Sequence, residues 1–322
     1  MTYTSGSTIV ATDYNGFVND TAGANVNDIW ATGATDKGYG QTAISTVAAT
    51  NTITATQWAS LVNNLASLGS HQGTAITSRA APTVGTTISI LSALNTDLTN
   101  CTTNRGNAAA SGSQYTGWTG PNSKTASTTG TFTLSFVNTV TFPSADQMRY
   151  FWNAGGLVKI QVGKSATGQT GDPEWNDLAT TLCGAIFISG RVNSAAQTIA
   201  GVSYSGIKQV GGTGTPTTLA SNTGVYSIPA DGTPTIIYKQ FADSSPYTSN
   251  YIQHTMERYT NSLIIRTTWV NSEGDTISGG TAASGATVGT APCTIVTYYP
   301  PSTTYLTNSW GTPTVAATTA TL

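Results

Sequence analysis

Residues 131–163 read TFTLSFVNTVTFPSADQMRYFWNAGGLVKIQVG. Phe132, Leu134, Phe136, Val140 and Phe142 share one parity, the two-residue period of a strand with one buried face. Pro143 ends that run. Ser144-Ala145-Asp146-Gln147 then has the form of a capping box, and Met148, Phe151 and Trp152 follow on one face of a short helix. Asn153-Ala154-Gly155-Gly156 supplies residues that tolerate positive φ and closes the helix. Alternation resumes in Leu157–Val162, with Val158, Ile160 and Val162 on one side. The stretch is therefore a strand–helix–strand unit, and it divides a helical first part of the chain from a strand-rich remainder.

Upstream, Thr54-Ala55-Thr56-Gln57 is a second capping box, and Trp58, Leu61, Val62, Leu65 and Leu68 recur at helical spacing up to a stop expected at Gly69. A second helix is expected over Thr87–Cys101, with Ile88, Leu91, Leu94, Leu98 and Cys101 as its apolar stripe. A weaker helical piece holds Tyr14, Phe17, Val18, Val26, Ile29 and Trp30. Trp58, Leu61, Leu65, Leu91, Leu94 and Leu98, with Phe151 and Trp152, are the expected packing and interface positions; the stripes fit either one subunit's core or a seam between copies. Residues 104–130 are rich in Gly, Ser and Thr and read as a linker or surface loop. Downstream, strands are expected near Cys183–Ser189, Val225–Ile228, Thr235–Phe241, Leu263–Val270, Thr276–Ser278 and Thr294–Tyr299. The runs at 263–270 and 294–299 carry apolar residues on both parities, as a strand buried on both faces would. After Pro300-Pro301 the Thr-rich tail reads as an extended arm. The expected fold class is α+β: a helical docking or oligomerisation region at 1–103, the 104–130 linker, an antiparallel β-rich, sandwich-like domain at 131–300 with one short helix at 144–154, and an arm at 301–322.

Composition narrows the function. Only 8% of the 322 residues are charged, and Lys+Arg 12 against Asp+Glu 14 leaves a net charge of −2. No basic stripe is present to neutralise phosphates, so nucleic acid is not an expected partner. No apolar run approaches the roughly 20 residues of a membrane span, and the first residues lack the basic and apolar regions of a secretory signal. Synthesis in the cytoplasm, without a signal peptide, is the expectation. Cys101, Cys183 and Cys293 form neither a disulfide framework nor a metal spacing. Gly163-Lys164-Ser165 lacks the glycine that a phosphate loop needs at position 158, which is Val158. Asp172, Glu174 and Asp177 are the densest carboxylates. They are candidates for a calcium site or for paired acid and base beside a sugar-stacking Trp175, although a plain polar turn accounts for them better than either. His71 and His254 have no triad or metal partner in sight. No catalytic residue and no cofactor is expected.

Four segments carry a resemblance: Thr12-Asp13-Tyr14-Asn15, Gly38-Tyr39-Gly40-Gln41, Ile53-Thr54-Ala55-Thr56-Gln57-Trp58 running to His71-Gln72, and Phe142–Gly156. Together, across residues 10–165, they resemble the virion structural, tail-fibre-like proteins of tailed bacteriophages, notably those of marine cyanobacterial phages. The resemblance implies a non-enzymatic tail or neck fibre or appendage subunit, located in the virion, whose partners are copies of itself and other virion proteins. A capsid decoration protein and an adhesin for host surface glycan, with Trp175 or Trp269 as the stacking platform, are the alternatives. The family supplies no catalytic residues.

Overall fold

The computed structural model describes residues 9–19, 23–85, 93–113, 115–116, 122–123, 131–164, 172–190, 196–272 and 292–319. Six helical elements are α1 (Ala11–Asn19), α2 (Val26–Trp30), α3 (Ala55–Gln72), α4 (Leu94–Thr103), α5 (Ala145–Asn153) and α6 (Asp172–Asn176), the last continuing as a π-helical turn over Asp177–Leu182. The first sheet joins β1 (Tyr115–Thr116), β2 (Asn122–Ser123), β4 (Leu157–Lys164), β5 (Ala185–Ile188), β8 (Ile207–Val210) and β13 (Pro292–Tyr299), in the order β1-β13-β4-β5-β8 with β2 also on β13. The second runs β14 (Thr314–Thr319), β3 (Phe132–Thr141), β12 (Ser262–Asn271), β11 (Tyr251–Arg258), β10 (Thr235–Phe241) and β9 (Thr218–Leu219). A separate hairpin pairs β6 (Gln197–Ile199) with β7 (Val202–Tyr204). The fold is α+β, with antiparallel sheets throughout.

The strand–helix–strand unit has a specific job. β3 belongs to the second sheet and β4 to the first, so α5 carries the chain from one layer to the other. The Ser144 hydroxyl caps α5 by accepting from the Gln147 N–H. Met148, Phe151 and Trp152 are buried as the sequence requires, and Phe151 lies 5.1 Å from Phe142 and 6.2 Å from Tyr298. Gly156 lets β4 begin beneath the Phe151 ring, which a Cβ at that position would enter.

One buried cluster contains Tyr14, Phe17 and Trp58 from the helices, Leu134 and Phe136 from the second sheet, and Ile160 and Val296 from the first. Trp58 meets Tyr14 edge to face at 5.2 Å, and Leu61, Leu65, Leu94 and Leu98 are all buried. The helical stripes therefore pack within one subunit; Leu91 and Ile88 lie outside the described residues. Each fully buried large side chain contributes about 1.5–3 kcal/mol relative to exposure.

Five expectations change. Helix α3 runs past Gly69 and ends at Gly73, which takes the left-handed conformation (φ 67°). The 104–130 linker is partly built into the fold: Ala108 is buried and bridges Ile199, and β1 and β2 pair with β13. The arm at 301–322 supplies β14, hydrogen-bonded to β3 from Thr314↔Thr141 to Thr319↔Phe136, and it buries Leu306 and Trp310 on the way. Residues 225–227 form a 3-10 turn instead of a strand. Finally, β12 alternates strictly, with Leu263, Ile265, Thr267, Trp269 and Asn271 inside and Ile264 and Val270 on the other face, so it is not buried on both sides. The strand expected at Thr276–Ser278 lies outside the described residues.

Candidate functional site

Between α2 and α3 the chain runs as a strap over residues 39–47. Its first residues bond backbone to backbone, Tyr39 N–H to Ile29 O (2.7 Å) and Gln41 N–H to Trp30 O (2.9 Å), and beyond them side-chain amides act as substitute peptide groups. The Asn27 Nδ2–H donates to Ile44 O (2.8 Å) while the Ile44 N–H donates to Asn27 Oδ1 (2.9 Å). Asn15 treats Val47 in the same way, both bonds at 2.8 Å. Gln41 pairs with Thr307, donating to its carbonyl (3.0 Å) and accepting from its N–H (2.8 Å). Gln41, Ile44 and Val47 are buried and the residues between them exposed. That three-residue period is the signature of a polyproline-II-like extended chain, which has no internal hydrogen bonds and needs such external partners.

The strap starts where Gly38 (φ 89°) and Gly40 (φ 68°) adopt left-handed geometry, with Gly38 packed against the Thr32 carbonyl and Gly40 against the Tyr150 ring. It is tied to α5 by the Asn153 amide, which donates to Lys37 O (2.7 Å) and Gly38 O (3.1 Å), and by Arg149, which donates to Thr32 O and Lys37 O, both 2.7 Å. Two open grooves flank it. One, of about 980 Å3, is lined by Asn25, Asn27, Asp28, Lys37, Ser45 and Thr46; the other, of about 400 Å3, by Trp30, Gln41, Ser45, Gln57, Ser60 and Asn64. Apart from the ion pair of Lys37 with Asp28, the lining mixes neutral amides and hydroxyls with apolar side chains such as Ala43, Ile44 and, in the smaller groove, Trp30. Such grooves offer both hydrogen bonds and apolar contact to a surface laid against them.

The cations are engaged inside the chain. Arg79 pairs with Asp97, both side chains only 5% exposed, and Arg105 with Asp36 at 2.6 Å. Arg258 donates to Val225 O (3.1 Å) and Ile228 O (3.0 Å). Lys159 lies over Tyr299, Lys208 over Tyr204, and Lys239 over both Phe241 and Tyr251, the last at 3.8 Å from the ring centre. Arg266 faces Glu257 at 3.5 Å, and Lys164, at the end of β4, also has a partner. Lys124 and Arg191 lie outside the described residues.

The candidate chemistry disperses. Burial and then the nearby Asp243 and Asp177 push the Glu174 carboxyl above its ordinary value, while hydrogen bonds from Ser244 oppose that rise. Among the described residues no group of three His, Cys, Asp or Glu side chains is placed to hold a metal; the Asp172 side chain is not among them. Trp175 and Trp269 are 2% and 0% exposed and pack on each other at 5.6 Å, so neither is a sugar platform. Lys164 is strand, paired opposite Pro292, and not part of a phosphate loop.

Both histidines are buried. The His71 Nε2–H donates to Ala154 O at 3.0 Å, tying the last turn of α3 to the end of α5, and burial lowers its pKa to about 4 against the pull of that bond. His254 sits on the inner face of β11, with Nδ1 3.0 Å from the Thr267 hydroxyl, and burial lowers it to about 3. Burial pushes the Cys101 and Cys183 thiols up to about 12, which leaves almost no thiolate at neutral pH; the Cys293 side chain lies outside the described ones.

Sequence reasoning missed the amide clamps Asn15, Asn27 and Gln41, because nothing local distinguishes a clamp asparagine from a solvated one. The extended run with apolar or amide residues every third position, 41, 44 and 47, was the available signal. No helix among the described residues is long and apolar enough to cross a membrane. No protein-family model, curated protein or solved structure matches the chain.

Proposed function

We propose that this chain is a non-enzymatic structural component of a phage particle, a tail or neck fibre or appendage subunit that works by symmetric self-assembly. The observation that carries the reading is the internal engagement of the cations: they clamp loop carbonyls, carboxylates and rings of their own chain. What remains at the surface is mostly hydroxyls, amides and scattered apolar side chains, with few unpaired charges among the described residues. Such a surface suits contacts among identical, crowded copies, because it brings no like-charge repulsion into the seam.

The resemblance supports the same reading, since the four segments that carry it interlock. Tyr14 donates its hydroxyl proton to Gln57 O (3.3 Å), Gln72 donates to the Tyr39 hydroxyl (2.9 Å), His71 reaches Ala154, and Asn153 reaches Gly38. They form one packed node, as a shared structural module would.

Immunogold electron microscopy of gradient-purified particles, with an antibody to this chain, tests the proposal. Label on the tail or neck is the expected result. Label over the whole head would make the chain a decoration protein. Its absence from particles, with the protein abundant in the lysate, would sink the structural reading.

A further inference from the structure

The second sheet has a broad outer face on which charges are few and mostly offset. β3 presents Ser135, Val137 and Thr139 on it, β12 presents Ile264, Thr268 and Val270, and Ala316 and Thr318 of β14 extend it as exposed positions. The register sets Thr139 opposite Ile264 and Thr133 opposite Val270, two β-branched pairs on this face, with Val137 opposite Arg266 between them.

The charged groups of this face and its Ser135–Thr268 pair are already answered within it. The Ser135 and Thr268 hydroxyls bond each other at 3.2 Å, Glu257 faces Arg266 at 3.5 Å, and Lys239 at the far corner lies over Phe241 and Tyr251. Covering the face thus strands few polar groups, which is the main penalty in burying a polar surface.

From this we infer that the outer face of the second sheet is where two copies of this chain pack on each other about a two-fold axis. Charge and area argue for a second copy. A two-fold contact sets a patch against itself, which a strongly charged patch resists; here Glu257 and Arg266 offset each other locally. At strand spacings of about 4.8 Å and rises of about 3.3 Å per residue, the part spanned by β14, β3, β12, β11 and the end of β10 covers roughly 600 Å2. Two copies then bury about 1,200 Å2 in total, at the lower end of the range of a stable specific interface. Two twisted sheets can pack face to face at a small angle with their side chains interleaved, as sandwich layers do inside one chain.

This inference rests on the self-assembly reading, and one experiment separates the two. Sedimentation velocity at micromolar concentration is run on the wild type, on Val137→Glu/Thr268→Glu, and on Val84→Glu, whose residue is 93% exposed and belongs to neither sheet. Circular dichroism checks that each variant is folded. The wild type is expected to sediment as a dimer or a multiple of one, Val84→Glu to match it, and the double variant to weaken association about tenfold or more. A monomeric wild type overturns both the face and the self-assembly reading. An oligomer that keeps its mass with the charged face overturns the face alone and leaves that surface to a different virion component. Equal dissociation of Val84→Glu overturns the face as well, because added charge anywhere would then suffice.

Discussion

Acid should destabilise this protein through its two histidines, well before its carboxylates are protonated. An exposed imidazole titrates near 6.5; in the fold His71 is held down to about 4 and His254 to about 3, in each case by burial. Because both folded values lie below the unfolded one, the unfolded chain takes up protons first. The full stability is present above about pH 6.5 and falls as the pH drops, the loss levelling near 4 for His71 and near 3 for His254. Each unpaired proton changes stability by about 1.4 kcal/mol per pH unit, so at about pH 5 each histidine removes roughly 2 kcal/mol. The pair together removes about 4 kcal/mol, a large part of the 5–15 kcal/mol typical of a domain. Neither ring has a carboxylate to rescue its charged form: His71 faces Tyr39 edge-on at 5.2 Å and the Ala154 carbonyl, and His254 stacks on Tyr238 at 5.5 Å with Thr267 beside it. Urea melts followed by circular dichroism at several pH values between about 7.5 and 5 give the slope directly. His71→Gln and His254→Gln should each flatten it by about half, even if they lower stability at neutral pH. A wild-type stability at about pH 5 within 1 kcal/mol of its neutral value would refute the reasoning, because at least one imidazole would then be solvated or charged in the folded state.

Three further outcomes are expected. Asn27→Leu keeps the volume but strands the N–H and C=O of Ile44, so it should cost about 2–4 kcal/mol, read as a lowered midpoint in the same melts. Glu174→Gln removes a carboxylate that crowds Asp243 and Asp177; it should raise the melting temperature at neutral pH, with the gain vanishing as acid neutralises the wild-type carboxyl. Asn138 is fully buried on β3, with neither Oδ1 nor Nδ2 bonded, so Asn138→Leu should stabilise by about 1–3 kcal/mol; a loss of that size would mean that the amide is satisfied by buried water.

That asparagine also shows why parts of the fold were hard to read. The 131–163 unit is legible because its inward residues are large and apolar and its breaks are Pro and Gly. The capping box at Thr54 and the N-cap at Ser144 are legible because capping is local; at Ser144 only the serine half of the expected box forms. In β11 and β12 the hydropathy pattern misleads: His254, Thr267 and Asn271 point inward while Ile264 and Val270 point outward. Parity survives but polarity does not follow it, so β12 reads as two-sided and β11 is absent from the strands the sequence predicts. The β14 segment, Thr-Val-Ala-Ala-Thr-Thr, buries one residue, Val315, and acquires its structure from pairing with β3. The amide clamps join positions 17 and 32 residues apart, and nothing short of the tertiary fold brings them together.

These departures share a cause. A chain with 8% charged residues has few long polar side chains to keep at its surface, so polarity is redistributed. Amides serve as internal peptide mimics, cations clamp carbonyls, hydroxyl and imidazole groups enter the sandwich, and apolar side chains emerge on the outer face of the second sheet. What identifies that outer face as an interface is also what made β12 ambiguous. The kinetics of assembly follow from the same economy of charge. Neutral faces produce no steering field, so association should be slow, close to the orientation-limited 10⁵–10⁶ per molar per second of uncharged partners, and nearly indifferent to salt. A salt-steep association rate would place the seam at one of the ion-paired surfaces, such as the Lys37–Asp28 rim of the larger groove, rather than on the sheet.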